Sequence, residues 1–142
     1  MRATPLADRI KAAAQRAPET LPALAAEAER LAAAAELSAT DRALAHRAAA
    51  NAQQMLNDFE AALAHYDAAL KLLEQADNAL ELGRTLHAKV GLLNFMRRFS
   101  EMAECADRAR SIFEQLGDRQ RLARLDANLS HAHHRMNQIG RA

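Results

Sequence analysis

The sequence predicts an all-α protein, a solenoid of antiparallel helical hairpins with about seven helices, and three observations carry that expectation. Half of the 142 residues are apolar, yet only four are Gly and three Pro, which fits long helices joined by short turns. Alanine dominates the apolar set, with one Tyr and no Trp, favouring closely packed helices over a sheet of β-branched and aromatic residues. Finally, NDFEAALAHYDAALKLLEQ (57–75) recurs in outline 40 residues later as RRFSEMAECADRARSIFEQ (97–115). An echo at that period marks stacked repeats, each burying its apolar face against its neighbours.

The elements follow in order. Thr4 and Pro5 open a first helix to about Arg16, because Thr caps free backbone N–H groups and Pro suits a first turn. Pro18 and Pro22 interrupt the pattern. An Ala-rich second helix then runs to about Glu36 with Leu24 and Leu31 on one side, making a thin, degenerate first hairpin over residues 1–38. The SATD segment, Ser38–Asp41, is a capping pattern that starts a third helix to about Leu56. Asn57 with Glu60 reads as a second cap. It begins a fourth helix whose Phe59, Ala62, Leu63, Tyr66, Ala69, Leu70 and Leu73 share one face, and these two helices make the hairpin 39–77. Asn78 with Glu81 opens a fifth helix through Leu82, Leu86, Val90, Leu93 and Met96. A sixth begins near Phe99 with Met102, Ala106, Ala109, Phe113 and Leu116 inward, completing the hairpin 78–117. Gly117 ends it and Asp118 caps a seventh helix, 118–139, whose narrow stripe of Leu122, Leu125, Leu129, Ala132, Met136 and Ile139 suits a terminal cap. The whole chain reads as one domain, 1–142.

With residues 44–83 set over 84–123, seven positions are identical, among them Phe59/Phe99 and Ala69/Ala109. NAQQMLNDFEAALAHYDAALKLL has a helix, a turn followed by an aromatic, then small Ala62, aromatic Tyr66 and small Ala69. In this the chain resembles the tetratricopeptide repeat family, in a variant with a 40-residue period and no proline closing the unit. The resemblance implies a right-handed solenoid acting as a protein-interaction scaffold, with the first helix of each hairpin lining a concave groove. Carried over position by position, it places Arg47, Asn51 and Gln54, then Arg84, His87, Asn94 and Phe95, then Arg124, Asn128, His131 and Arg135 against a bound peptide. Arginine forks and Asn amides suit carboxylates and peptide amides, so the expected partner is an extended, acidic peptide or helix. Phe95 is read either as an anchor beside Gly91 or, in slight preference, as packed inward with Phe99.

Composition bounds the alternatives. Net charge is +1, but residues 1–83 hold 8 basic against 12 acidic side chains and residues 84–142 hold 11 against 6. The basic half lacks the dense Lys/Arg stripe with interleaved aromatics that a nucleic-acid binder shows. A small dimeric secretion-type or assembly chaperone is the main rival, and a homodimer is compatible with either reading. Cys105 has no disulfide partner, which points to a reducing cytoplasm. No segment reads as a signal peptide or membrane span. His131 and His134 lie one turn apart, with His87 on a neighbouring helix, but no thiol or carboxylate completes a metal set. Catalytic motifs such as GxGxxG, GK[ST], HExxH and GxSxG do not occur. The expectation is a non-enzymatic binding protein without cofactor or metal.

Overall fold

The computed structural model describes residues 3–141, with side chains from 6 to 131. The described residues form seven α-helices and one short 3-10 turn, with no strand: α1 (Ala3–Arg16), the turn Pro18–Thr20, α2 (Leu21–Ala32), α3 (Ala39–Met55), α4 (Phe59–Gln75), α5 (Ala79–Phe95), α6 (Phe99–Leu116) and α7 (Arg119–Arg141). They fall into two compact units, Met1–Ala79 and Leu80–Ala142.

The turns carry the repeat more faithfully than the side chains do. Asn57, Asp77, Arg97 and Gly117 have φ of 65°, 54°, 60° and 67°, a left-handed residue at every twentieth position. At each, the next backbone N–H donates five residues back: Asp58 to Gln53 at 2.8 Å, Asn78 to Leu73 at 3.2 Å, Arg98 to Leu93 at 2.9 Å and Asp118 to Phe113 at 2.9 Å. The left-handed residue's own N–H donates to the carbonyl three before it. This pair of bonds satisfies carbonyls that a helix end leaves open and reverses the chain. Asn57 is therefore the left-handed residue ending α3 and does not cap α4. That role falls to Asp58, whose side chain accepts from the Ala61 N–H at 3.2 Å. Ser38 and Asp118 cap as expected, accepting from Asp41 N–H and Arg121 N–H at 3.1 Å each. Only Gly among the four adopts a left-handed φ without steric cost. Arg97→Gly is accordingly expected to raise stability by about 0.5–1 kcal/mol, read as a higher denaturation midpoint.

In the first unit α3 is the central helix, packed against α1, α2 and α4. Ala43, Ala45, Ala48, Ala49, Ala50 and Ala52 are all buried, so the helix is covered on several sides. Alanine makes this possible by letting neighbouring axes approach closely. Leu6, Ile10, Leu21 and Leu24 of α1 and α2 fill the space beside Ala48, Ala49 and Ala52, while α4 buries Ala62, Leu63, Tyr66, Ala69, Leu70 and Leu73, as its periodicity predicts. The second helix stops at Ala32, a turn short of the expected Glu36. Arg42 Nε donates to the Ala32 carbonyl at 2.9 Å, closing the helix where only small side chains remain to hold a further turn.

In the second unit, α5 lies against α6 at Gly83: a Cβ there would stand 2.7 Å from Phe113 Cε1 and 3.0 Å from Ile112 Cγ2. Met102, Ala106, Ala109 and Phe113 are buried on α6, as are Leu125 and Leu129 on α7. Leu116 is 47% exposed, against its expected inward place. It is the last residue of α6, where the stripe has run past its cover. The side chains of Ala132, Met136 and Ile139 lie outside the described residues. Cys105 is buried.

Candidate binding site on the second unit

Two helices of the second unit project one chemical type of side chain into a common space. A cavity of about 350 Å³ is lined by Arg84, His87, Ala88 and Gly91 of α5, Phe113 of α6, and Arg121, Arg124 and Asn128 of α7. No acidic residue is among the lining groups. On α5, Arg84, His87, Ala88 and Gly91 succeed one another at helical spacing; on α7, Arg121, Arg124 and Asn128 do the same. Phe113, fully buried, forms the apolar wall.

Two of the guanidiniums are held by carboxylates one turn away. Arg84 Nη1 lies 2.8 Å from Glu81 Oε1, and Arg121 Nη1 lies 2.7 Å from Asp118 Oδ2. The Arg121 backbone and guanidinium N–H donors, followed by the nearby charges of Arg121 and Arg124, keep the Asp118 carboxyl below its usual range. Arg124 forms no ion pair among the described residues. Asn128 Nδ2 stands 2.7 Å from His87 Nε2; with the amide donating, Nε2 is the unprotonated nitrogen. Burial, then the charge of Arg124, push the His87 pKa below its ordinary value. The cavity thus places a neutral imidazole beside three arginines.

Gly91 adds a feature of a different kind. A Cβ there would meet nothing within 4 Å, so no packing contact requires glycine, although glycine inside a helix costs about 1 kcal/mol relative to alanine. The bare backbone leaves the cavity open to close approach by another chain.

Of the residues expected to contact a peptide, Arg84, His87, Arg124 and Asn128 line this cavity together. Asn94 and Phe95 do not line it. Asn94 is half-buried, with Oδ1 buried and lacking a hydrogen-bond partner among the described residues. Phe95 is 59% exposed at the end of α5, which overturns the preference for inward packing. Met55, 40 residues earlier at the end of α3, is exposed too, so this repeat position faces outward in both copies. His131 is exposed on α7; the side chains of His134 and Arg135 lie outside the described residues. Arg121 escaped the sequence reading, though its place one turn before Arg124 on the same helix face was a usable signal. Among the described residues, no group of three His, Cys, Asp or Glu side chains could hold a metal ion.

The first unit places its expected residues on α3. Asn51 Oδ1 accepts the Tyr66 hydroxyl at 3.1 Å, tying α3 to α4. Burial pushes the Tyr66 phenol up to about 12, with the Arg47 charge opposing. Arg47 and Gln54 are half-buried. A line of polar groups that no sequence pattern announced crosses three helices here. Glu29 Oε2 of α2 lies 3.5 Å from His65 Nε2 of α4, and His65 Nδ1 lies 2.9 Å from His46 Nδ1 of α3. Gln53 Nε2 donates to the other Glu29 oxygen at 3.2 Å. Separately, a shallow apolar cavity of about 520 Å³ between α1 and α2 has Ala12, Ala13, Ala23 and Leu24 in its lining and the Arg9–Glu27 ion pair, 3.1 Å, at its edge.

No protein-family model matches this sequence, and no curated protein matches it. No helix among the described residues is long and apolar enough to cross a membrane.

Proposed function

We propose that this protein is a protein-interaction module of the tetratricopeptide-repeat kind, which takes an extended acidic peptide and anchors it at the basic cavity of the second unit. The observation that carries the reading is the lining itself: three arginines, a histidine and an asparagine around one cavity, with no carboxylate among them. Such donors recognise carboxylates and peptide carbonyls. A concave surface lined by charges of one sign concentrates their field. Gly91 supports the same reading, since it admits a peptide backbone where any other residue would set a side chain. The proposed role is that of a binding surface, without an enzymatic step.

The test uses a fluorescein-labelled decapeptide of alternating Glu and Ser, with a Lys/Ser decapeptide as control, followed by anisotropy. The acidic peptide is expected to bind and the basic one not. Arg124→Glu is expected to weaken binding at least tenfold, because a charge-assisted hydrogen bond worth about 1.5–3 kcal/mol is replaced by repulsion. Equal binding of both peptides, or indifference to Arg124→Glu in a protein of unchanged helicity, overturns the proposal.

A further inference from the structure

We infer that the cavity between α5 and α7 is a site for a tetrahedral oxyanion, the phosphoryl group of a phosphorylated peptide side chain, and that His87 takes up a proton when the anion enters. This rests on the peptide-binding reading and names the group that occupies its anchor point.

The donors decide the class. A carboxylate offers two oxygens in one plane and is served by one or two guanidinium forks. Three arginines around one cavity, with an imidazole and an amide beside them, exceed that requirement and fit the three oxygens of a phosphoryl group. Glu81 and Asp118 each spend one N–H of Arg84 and Arg121 and hold these arginines in place, leaving further N–H donors on each fork.

The charge balance supplies the proton coupling. Glu81 and Asp118 offset two of the three guanidiniums, so with His87 neutral one positive charge stands uncompensated. A phosphorylated side chain carries about −1.5 to −2 at neutral pH. Protonating His87 supplies the second positive charge. The groups that face His87 explain why the proton waits for the anion. Arg84, Ala88 and Gly91 lie on its own helix, Phe113 on α6, and Arg121, Arg124 and Asn128 on α7, so every charged group in the lining is cationic. Burial and Arg124 hold the ring neutral; an oxyanion beside Arg124 offsets the repulsion. On protonation Nε2 becomes a donor, so the Asn128 amide must turn its oxygen toward the ring or release it.

The experiment titrates the whole chain with inorganic sulfate, a tetrahedral dianion with no titration of its own between pH 5 and 8, following the His87 imidazole resonances. Inorganic phosphate and acetate are run in parallel. Sulfate is expected to raise the His87 midpoint by about one pH unit, which is about tenfold tighter binding to the protonated form. Phosphate, largely a monoanion at the pH where His87 titrates, should raise the midpoint less than sulfate does, and Arg124→Gln should abolish the shift. His87→Gln should keep sulfate binding but remove its dependence on pH. An unshifted midpoint, an equal shift with acetate, or a shift that survives Arg124→Gln overturns the assignment. The acidic decapeptide binding while sulfate leaves His87 unmoved would sink this inference and leave the peptide-binding reading standing. A phosphoserine decapeptide binding no tighter than its serine counterpart also overturns it.

Discussion

Replacing Phe113 with alanine is expected to destabilise the protein by about 3–5 kcal/mol. The ring is fully buried on α6, and its edge lies where α5 presents Gly83 instead of a side chain. The closeness of the two helices at this point is written as a large residue facing an absent one. Alanine at 113 removes the large partner and leaves a cavity against a helix too tightly placed to collapse into it. The reciprocal change tests the same contact from the other side. Gly83→Ala places a Cβ 2.7 Å from the ring, so the gain in helix propensity of about 1 kcal/mol is outweighed by an overpacking cost of about 1–3 kcal/mol. Phe95→Ala, on a side chain 59% exposed, should change stability by less than about 0.5 kcal/mol. Urea unfolding of the three variants checks all these values, and comparable losses for Phe95 and Phe113 would refute the packing account.

Acid is expected to weaken the first unit through His46. Burial, then the charges of His65 and Arg42, depress its pKa from 6.5 to about 4, against a smaller opposing pull from Glu29. The unfolded chain therefore takes up the proton at a higher pH than the folded one. The stabilising contribution is fully present above about pH 6.5 and is lost progressively as the pH falls toward 4. Discounted for the solvent that reaches a half-buried ring, the loss is about 1–2 kcal/mol. Thermal melts between pH 7.5 and 4 should show it, and His46→Gln should flatten the dependence over that range. The variant melting with an unchanged pH profile would place the acid sensitivity elsewhere.

Helix positions and buried faces were legible because each depends on local spacing. Tyr66, Leu73, Ala109 and Phe113 are buried where their three-and-four rhythm puts them. Asn57 was misplaced because an amide suits a helix cap and a left-handed turn equally, and only the backbone decides between Asn57 and Asp58. Leu116 kept the rhythm of α6 but lost its cover at the helix end, which periodicity does not register. The line from Glu29 through His65 to His46 draws one residue from each of three helices, and no local pattern links them. The cavity stood between these extremes. Arg84, His87, Arg124 and Asn128 came from the resemblance, whereas the unpacked space at Gly91 and the partnership of Asn51 with Tyr66 required coordinates.

The left-handed turns at positions 57, 77, 97 and 117 divide the chain at single helices, and that limits how such a sequence can vary. One residue inserted within a helix would rotate every later side chain of that helix by about 100°, exchanging core and surface before the next turn could correct it. Forty residues inserted at a turn, a complete hairpin, would arrive with their own beginning and end and leave every later helix pointing as before. Length is therefore free to change in whole hairpins and hardly at all in residues. Substitutions on outward positions such as 55, 91 and 95 alter what the surface recognises without disturbing that count.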